Sequence, residues 1–280
     1  MPRLHDVLAL LERWYPTDTA EEWDAVGLVY GDPEAPVRRI LLAVDPAPVV
    51  AEEAAAWEAD LLVVHHPLFL RPVHGFAATT PKGRTLATLV AAQCALLTAH
   101  TNADRAADGV SAALADAFGI REAVPLVPDP AGRNGTDQIG TDQIGPDQIG
   151  TGRIGTVEPQ ILRAFAERVA QALPETAHGV RVAGDPLRQV RRVAVCGGAG
   201  DGLLPVVAAS GADVYVTSDL RHHLALEHLE LGGAALVDVA HWAAEWRWLP
   251  VVQARLAEAL GDTVVARVST TPTDPWSFRI

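Results

Sequence analysis

The chain has 280 residues, 49% of them hydrophobic and 20% charged, and a formal net charge of −13 with its ten histidines counted as neutral. That length predicts one large or two modest domains that bury a core without disulfides or structural metals. The 35 acidic against 22 basic residues leave no broad cationic surface of the kind that nucleic acid or an anionic membrane requires.

Residues 1–16, MPRLHDVLALLERWYP, carry an apolar stripe at helical spacing interrupted by His5, Asp6, Glu12 and Arg13. They read as a first helix and lack the pattern of a cleaved leader. Ile40–Val44 reads as a strand, Pro48 to Ala59 as a helix opened by proline, and Leu61–Val64 as a second strand ended by His65-His66-Pro67. Proline lacks a ladder donor, so the chain turns there. Thr85 to Gln93 follows as a helix, Ala95–Ala99 as a third strand, and Asp108 to Phe118 as a helix stopped by Gly119. A second series opens with the strand Val190–Val195, the turn CGGAGDG and a helix from Leu203 to Ala209. It continues through the strand Asp213–Thr217, a helix over Leu220 to Glu230 and the strand Ala235–Val239. Short apolar runs alternating with amphipathic stretches predict an α/β fold with mostly parallel sheets. The longest apolar runs, LLAV at 41–44 and LLVV at 61–64, fall far short of the ~20 residues that cross a bilayer.

Between the two series, residues 131–155 repeat a five-residue unit, AGRNGTDQIGTDQIGPDQIGTGRIG. Its composition offers neither helical nor strand periodicity, and it reads as a flexible connector without chemistry. The expected organisation is a first lobe over 1–130, a connector over 131–158, a second lobe over 159–235, and a C-terminal segment over 236–280. Cys94 and Cys196 lie far apart and outside any CxxC pair. They read as reduced, buried thiols of a cytoplasmic protein.

The histidines cluster at strand ends. His65 and His66 follow LLVV, His100 follows ALLTA, His222 and His223 lie just beyond DVYVT, and His241 follows AALVDVA. Open α/β sheets bind ligands outside the carboxyl ends of their strands, so these positions predict one functional crevice. In a continuing strand His65 and His66 would face opposite sides; a backbone turn before Pro67 lets the two imidazoles splay around nearby ions. Asp104, in HTNAD, can project back over the third strand, whereas Asp108 is better placed to cap the next helix. His241 and Glu245 are four apart, which on a helix puts both on one face.

Three imidazoles and two carboxylates suit Zn, Fe, Mn or Co better than calcium. They are too many for one tetrahedral ion with an open position, and they fit two divalent ions with a bridging carboxylate, a pattern of metal-assisted hydrolysis. His100 and His223 are candidates for proton transfer. The CGGAGDG turn lacks both the G-x-G-x-x-G spacing and a P-loop Lys-Ser/Thr, so it reads equally as a plain tight turn.

Seven segments in order, WDAVGL, VVHHPLF, HTNAD, GTGRIG, VCGGAGDGL, DVYVTSDLRHH and DVAHWAAE, resemble the Nif-three-like family, whose members are often described as GTP cyclohydrolase I type-two homologues. The resemblance implies two interlocked α/β lobes, with the C-terminal segment returning to the first lobe. It implies one ion held by His65, Asp104 and Glu245 and a second held by His66, His241 and Glu245. It further implies a homohexameric ring and a compact form without an inserted domain. The chain departs from the family at Ala25, Ser218, His222 and Ala240; Ser218 and Ala240 stand where glycine is usual, so those turns do not need a glycine-only backbone. The function expected is a dinuclear metal hydrolase of a nucleotide or other small molecule, and the alternative is a metal-handling or scaffold ring without turnover.

Overall fold

The computed structural model describes residues 1–129 and 148–280, so most of the repetitive segment lies outside the described residues. The chain divides into two compact units. The first comprises Met1–Ala103 with Leu249–Thr273, and the second Asp104–Trp248 with Asp274–Ile280.

In the first unit, α1 (Leu4–Trp14) buries Leu4, Val7 and Leu11, one helical face, as its sequence periodicity dictates. Strands β1 (Gly27–Tyr30) and β2 (Arg39–Ala43), helix α2 (Pro48–Ala56), strand β3 (Leu61–Val64), helix α3 (Pro81–Ala91) and strand β4 (Ala95–Thr98) follow. Helix α3 starts where Thr80 accepts a hydrogen bond from the Gly83 amide, a side-chain cap on an otherwise unpaired donor. β2, β3 and β4 pair in parallel, and β1 joins β4 antiparallel. Every residue of β3 and β4 is buried. That is why they read as continuous apolar runs without alternation: both sheet faces are covered. Leu41, Leu62, Val64 and Leu96 pack with Val50, Ala54, Leu86 and Leu89, and each fully buried Leu or Val contributes roughly 1.5–3 kcal/mol.

The second unit starts within the short helix α4 (Thr101–Arg105) and continues through α5 (Val110–Ala117), β5 (Arg121–Pro128), β6 (Gly150–Ile161), α6 (Leu162–Ala172), β7 (Val180–Ala183), β8 (Gln189–Ala199), α7 (Leu204–Ser210), β9 (Val214–Ser218), α8 (His222–Glu230), β10 (Ala235–Val239) and α9 (His241–Trp246). Its sheet runs β5-β6-β8-β9-β10-β7. The β8-β9 and β9-β10 pairings are parallel; β5-β6, β6-β8 and β10-β7 are antiparallel. Val193, Val195, Val214, Val216, Val237 and Val239 form one core face against Leu114, Phe118, Phe165 and Val169.

The chain then adds α10 (Leu249–Leu260) and β11 (Val265–Val268) to the first unit, where β11 pairs in parallel with β2. The five strands of the first sheet lie in the order β1-β4-β3-β2-β11.

An α/β fold with two sheets therefore stands, and the expected boundaries shift. The connector does not run to 158, because Gly150–Ile161 forms β6, hydrogen-bonded on both sides in the second sheet. The first lobe does not run to 130: α5 and β5 belong to the second unit. Of the C-terminal segment, only Leu249–Thr273 joins the first unit, while His241 and Glu245 stay with the second. Among the described residues no helix is long and apolar enough to cross a membrane.

Candidate functional site

The first unit gathers three imidazoles beyond the carboxyl ends of β3 and β4. The backbone amides of His65 and His66 still bond to Val44 at 3.1 and 2.9 Å, yet the two rings stand on one side with centroids 5.1 Å apart. The chain has turned before Pro67, and the opposed arrangement of a regular strand does not occur. The His100 ring lies 5.0 Å from that of His65 and 5.5 Å from that of His66. One ring nitrogen from each of the three falls within 4.8 Å of the others.

Each imidazole is held from behind. His65 Nδ1 donates to Ala99 O at 2.9 Å, His66 Nδ1 to Asp45 Oδ1 at 2.7 Å, and His100 Nδ1 to Asp24 Oδ1 at 2.8 Å. Carbonyl and ionised carboxylate oxygens only accept. Nδ1 therefore carries the proton, and in the neutral ring Nε2 keeps its lone pair, the form that binds a metal. Burial alone would raise the Asp24 carboxyl. The hydrogen bonds from His100 and from the Thr101 hydroxyl and amide outweigh it and hold the group well below the usual carboxylate range. A cavity of about 380 Å³ adjoins His66 and its partner Asp45, lined further by Leu68, Lys82, Thr85 and Thr273.

The second unit builds a smaller donor set beyond β8, β9 and β10. Ala240, in extended conformation, caps α9, so His241 opens the helix and Glu245 follows one turn later. His241 Nε2 lies 2.8 Å from Glu245 Oε1, with the Glu245 side chain 3% exposed. His241 Nδ1 meets Asp219 Oδ2 at 2.6 Å, repeating the arrangement of the first unit. Gly198, at a φ of 68°, lies against this pair; a Cβ there would meet Glu245 Oε1 at 2.8 Å and His241 Nε2 at 3.5 Å. A side chain would thus fill the space at the donor atoms, and only glycine leaves it open. Asp104 sits on α4. Burial first, then the Asp104 charge, push the Cys196 thiol up to about 12, and Glu245 adds to the same effect. Both carboxylates therefore act on one end of β8.

Imidazole nitrogens with carboxylate oxygens form a donor set suited to a borderline divalent ion, and the lack of a side chain at Gly198 keeps a Cβ from crowding the donor atoms of the second set. His223 stacks edge-on with His222, centroids 5.2 Å apart, on the exposed first turn of α8. Among the described residues it joins no convergent group. Asp108 precedes α5, whose N-cap is Gly109. At the turn where glycine is usual, the left-handed residue is Asp219, at a φ of 57°, and not Ser218. Sequence reasoning missed Asp24 and Asp45 as partners of histidines. Their signals were present, since Asp24 lies within WDAVGL and Asp45 directly follows the strand LLAV.

Residues 2–275 match the model of the Duf34/NIF3 (NGG1p interacting factor 3) family. The chain belongs to that family. It is 45% identical to a GTP cyclohydrolase 1 type 2 homolog of Streptomyces coelicolor over 100% of this chain and 95% of that protein. It is 37% identical to the homolog of Mycobacterium tuberculosis, over 99% and 97%. Among solved structures, the Bacillus cereus protein related to NIF3 is 26% identical with a TM-score of 0.86, covering 99% of each chain. These likenesses establish the family and the fold; the donor sets are read from this chain's own residues.

Proposed function

We propose that this NIF3-family protein is a metal-dependent hydrolase of small molecules. In this reading His65, His66, Asp104, His241 and Glu245 hold two divalent ions of the Zn, Fe, Mn or Co class. The ligand division follows the family resemblance, with Glu245 shared. The observation that carries it is the common support of His65, His66 and His241: each has Nδ1 engaged by an oxygen, which makes Nε2 the nitrogen on the donor-set side, and His241 Nε2 already meets Glu245 Oε1 at 2.8 Å. Oxygen partners behind ligating histidines are a recurrent feature of metal sites.

When bound, two such ions supply Lewis acidity and make water a nucleophile near neutral pH. The chain's own residues do the rest. Asp24 orients His100 through its Nδ1 hydrogen, so His100 Nε2 is the atom that would take up and return a proton. The cavity at His66 accepts a small molecule with its reacting group toward the imidazoles and Lys82 at the rim. His223 is the second proton-transfer candidate carried by position in the sequence. The relatives' name makes GTP the first substrate to assay, with phosphoesters beside it. The same reading includes a homohexameric ring in the cytoplasm without nucleic acid or membrane partners.

Elemental analysis of the purified, metal-replete protein should count two ions per chain, and Glu245→Ala should lose them while remaining folded. Hydrolysis that disappears with Glu245→Ala and on chelation supports the hydrolase. Turnover unchanged without metal overturns it, and two bound ions with no turnover on any substrate would instead make the protein a metal-handling or scaffold ring.

A further inference from the structure

The GTGRIG segment opens β6 and contains Arg153, whose side chain is 1% exposed in the second unit. A buried guanidinium costs several kcal/mol unless its donors are satisfied, and here four backbone carbonyls accept from it. Nη1 donates to Gly150 O and Gly152 O, both at 2.8 Å, and Nη2 to Ala106 O at 2.6 Å and Ala107 O at 3.4 Å. Gly152, at a φ of 66°, bends the start of the strand in a way other residues resist, and its carbonyl turns onto the guanidinium. The two glycines and the arginine thus form one device.

The far end of that device grips the chain two and three residues beyond Asp104. Helix α4 has only five residues, too few to hold a helix in water by itself, and its last carbonyls have no partners within it. Two guanidinium groups hold the segment instead: Arg105 pairs with Asp129, and Arg153 takes the carbonyls of Ala106 and Ala107. A guanidinium presents its donors from separate nitrogens in a fixed planar fork, whereas an ammonium offers three from a single nitrogen.

We infer that Arg153 is a positioning residue for Asp104, fixing through the 104–107 backbone where that carboxylate stands relative to the other metal ligands of the second unit. The inference rests on the metal-site reading above.

The test is Arg153→Lys, which keeps the charge and loses the fork, with Phe165→Leu as a control that loosens the core of the same unit away from this segment. Ions per chain are counted by elemental analysis and Zn and Mn affinities measured by titration, with folding checked by circular dichroism. Arg153→Lys should stay folded and bind one of the two ions about ten- to a hundredfold more weakly, while Phe165→Leu should lower the melting temperature and leave both affinities unchanged. If the wild-type protein binds no metal, the site reading fails. If the wild type binds two ions and folded Arg153→Lys binds both as tightly, the positioning role fails. Failure of Arg153→Lys to fold, or an equal affinity loss in Phe165→Leu, also overturns it, since Arg153 would then serve stability alone.

Discussion

His241 Nδ1 lies 2.6 Å from Asp219 Oδ2, and Asp219 makes that contact from a left-handed backbone conformation with a φ of 57°. A residue with a side chain held there costs about 1–3 kcal/mol, less for Asp than for bulkier residues. The turn after β9 accepts that cost and sets the His241 ring.

Substituting Asp219 separates the two effects. Asp219→Gly should relieve the backbone and Asp219→Ala should not, so the glycine variant should be more stable by about 1 kcal/mol in urea unfolding. Both should lose metal affinity by about ten- to a hundredfold. Equal affinity in wild type and both variants would show that Asp219 does not orient the ligand.

Gly198→Ala places a methyl group 2.8 Å from Glu245 Oε1 at a positive φ. The variant should lose at least about 1 kcal/mol of stability and bind fewer ions per chain. A fully metallated Gly198→Ala would show that the space against Glu245 is not needed.

The first unit carries a separate acid-sensitive tie. Glu53, on α2, accepts from Ser269 and Thr271 at 2.6 and 2.8 Å and pairs with Arg267 at 2.5 Å. Burial raises its carboxyl, but these three partners outweigh it and hold the group below its ordinary value. A carboxylate lowered in the folded state contributes stability that is full above the unfolded value of about 4.3 and is lost as pH falls through the lower folded value. Glu53→Gln should therefore flatten the decline of melting temperature below about pH 4. A pH profile parallel to wild type would remove Glu53 from the acid transition.

Both thiols are pushed up to about 12, Cys94 by burial and the Asp60 charge, Cys196 by burial and then Asp104. Since the thiolate is the reactive form, neither should react with an aromatic disulfide reagent at pH 8 until the protein is unfolded. Rapid modification of the native protein would contradict their burial.

The local pattern determined most of what repeats locally. The apolar runs at Leu61–Val64 and Ala95–Thr98 are short, fully buried and bounded by turn residues, so strands and the histidines at their ends were legible together. The spacing of His241 and Glu245 was legible because one helical turn fixes it. Antiparallel pairing of β1, β5, β6 and β7 was not, since pairing is a property of two segments and not of either one. Gly150–Ile161 has a glycine-rich, repetitive approach, yet it is a strand because β5 and β8 supply hydrogen bonds on both sides.

The sequence by itself thus determined the fold class, the family likeness and the residue types of the donor sets. Only the tertiary structure decided what stands behind each imidazole. Asp24 meets His100 across 76 positions of the chain, and Asp45 meets His66 across 21. No local periodicity encodes such pairs: the strands bring them together, and a hydrogen bond depends on a few tenths of an ångström that only packing sets.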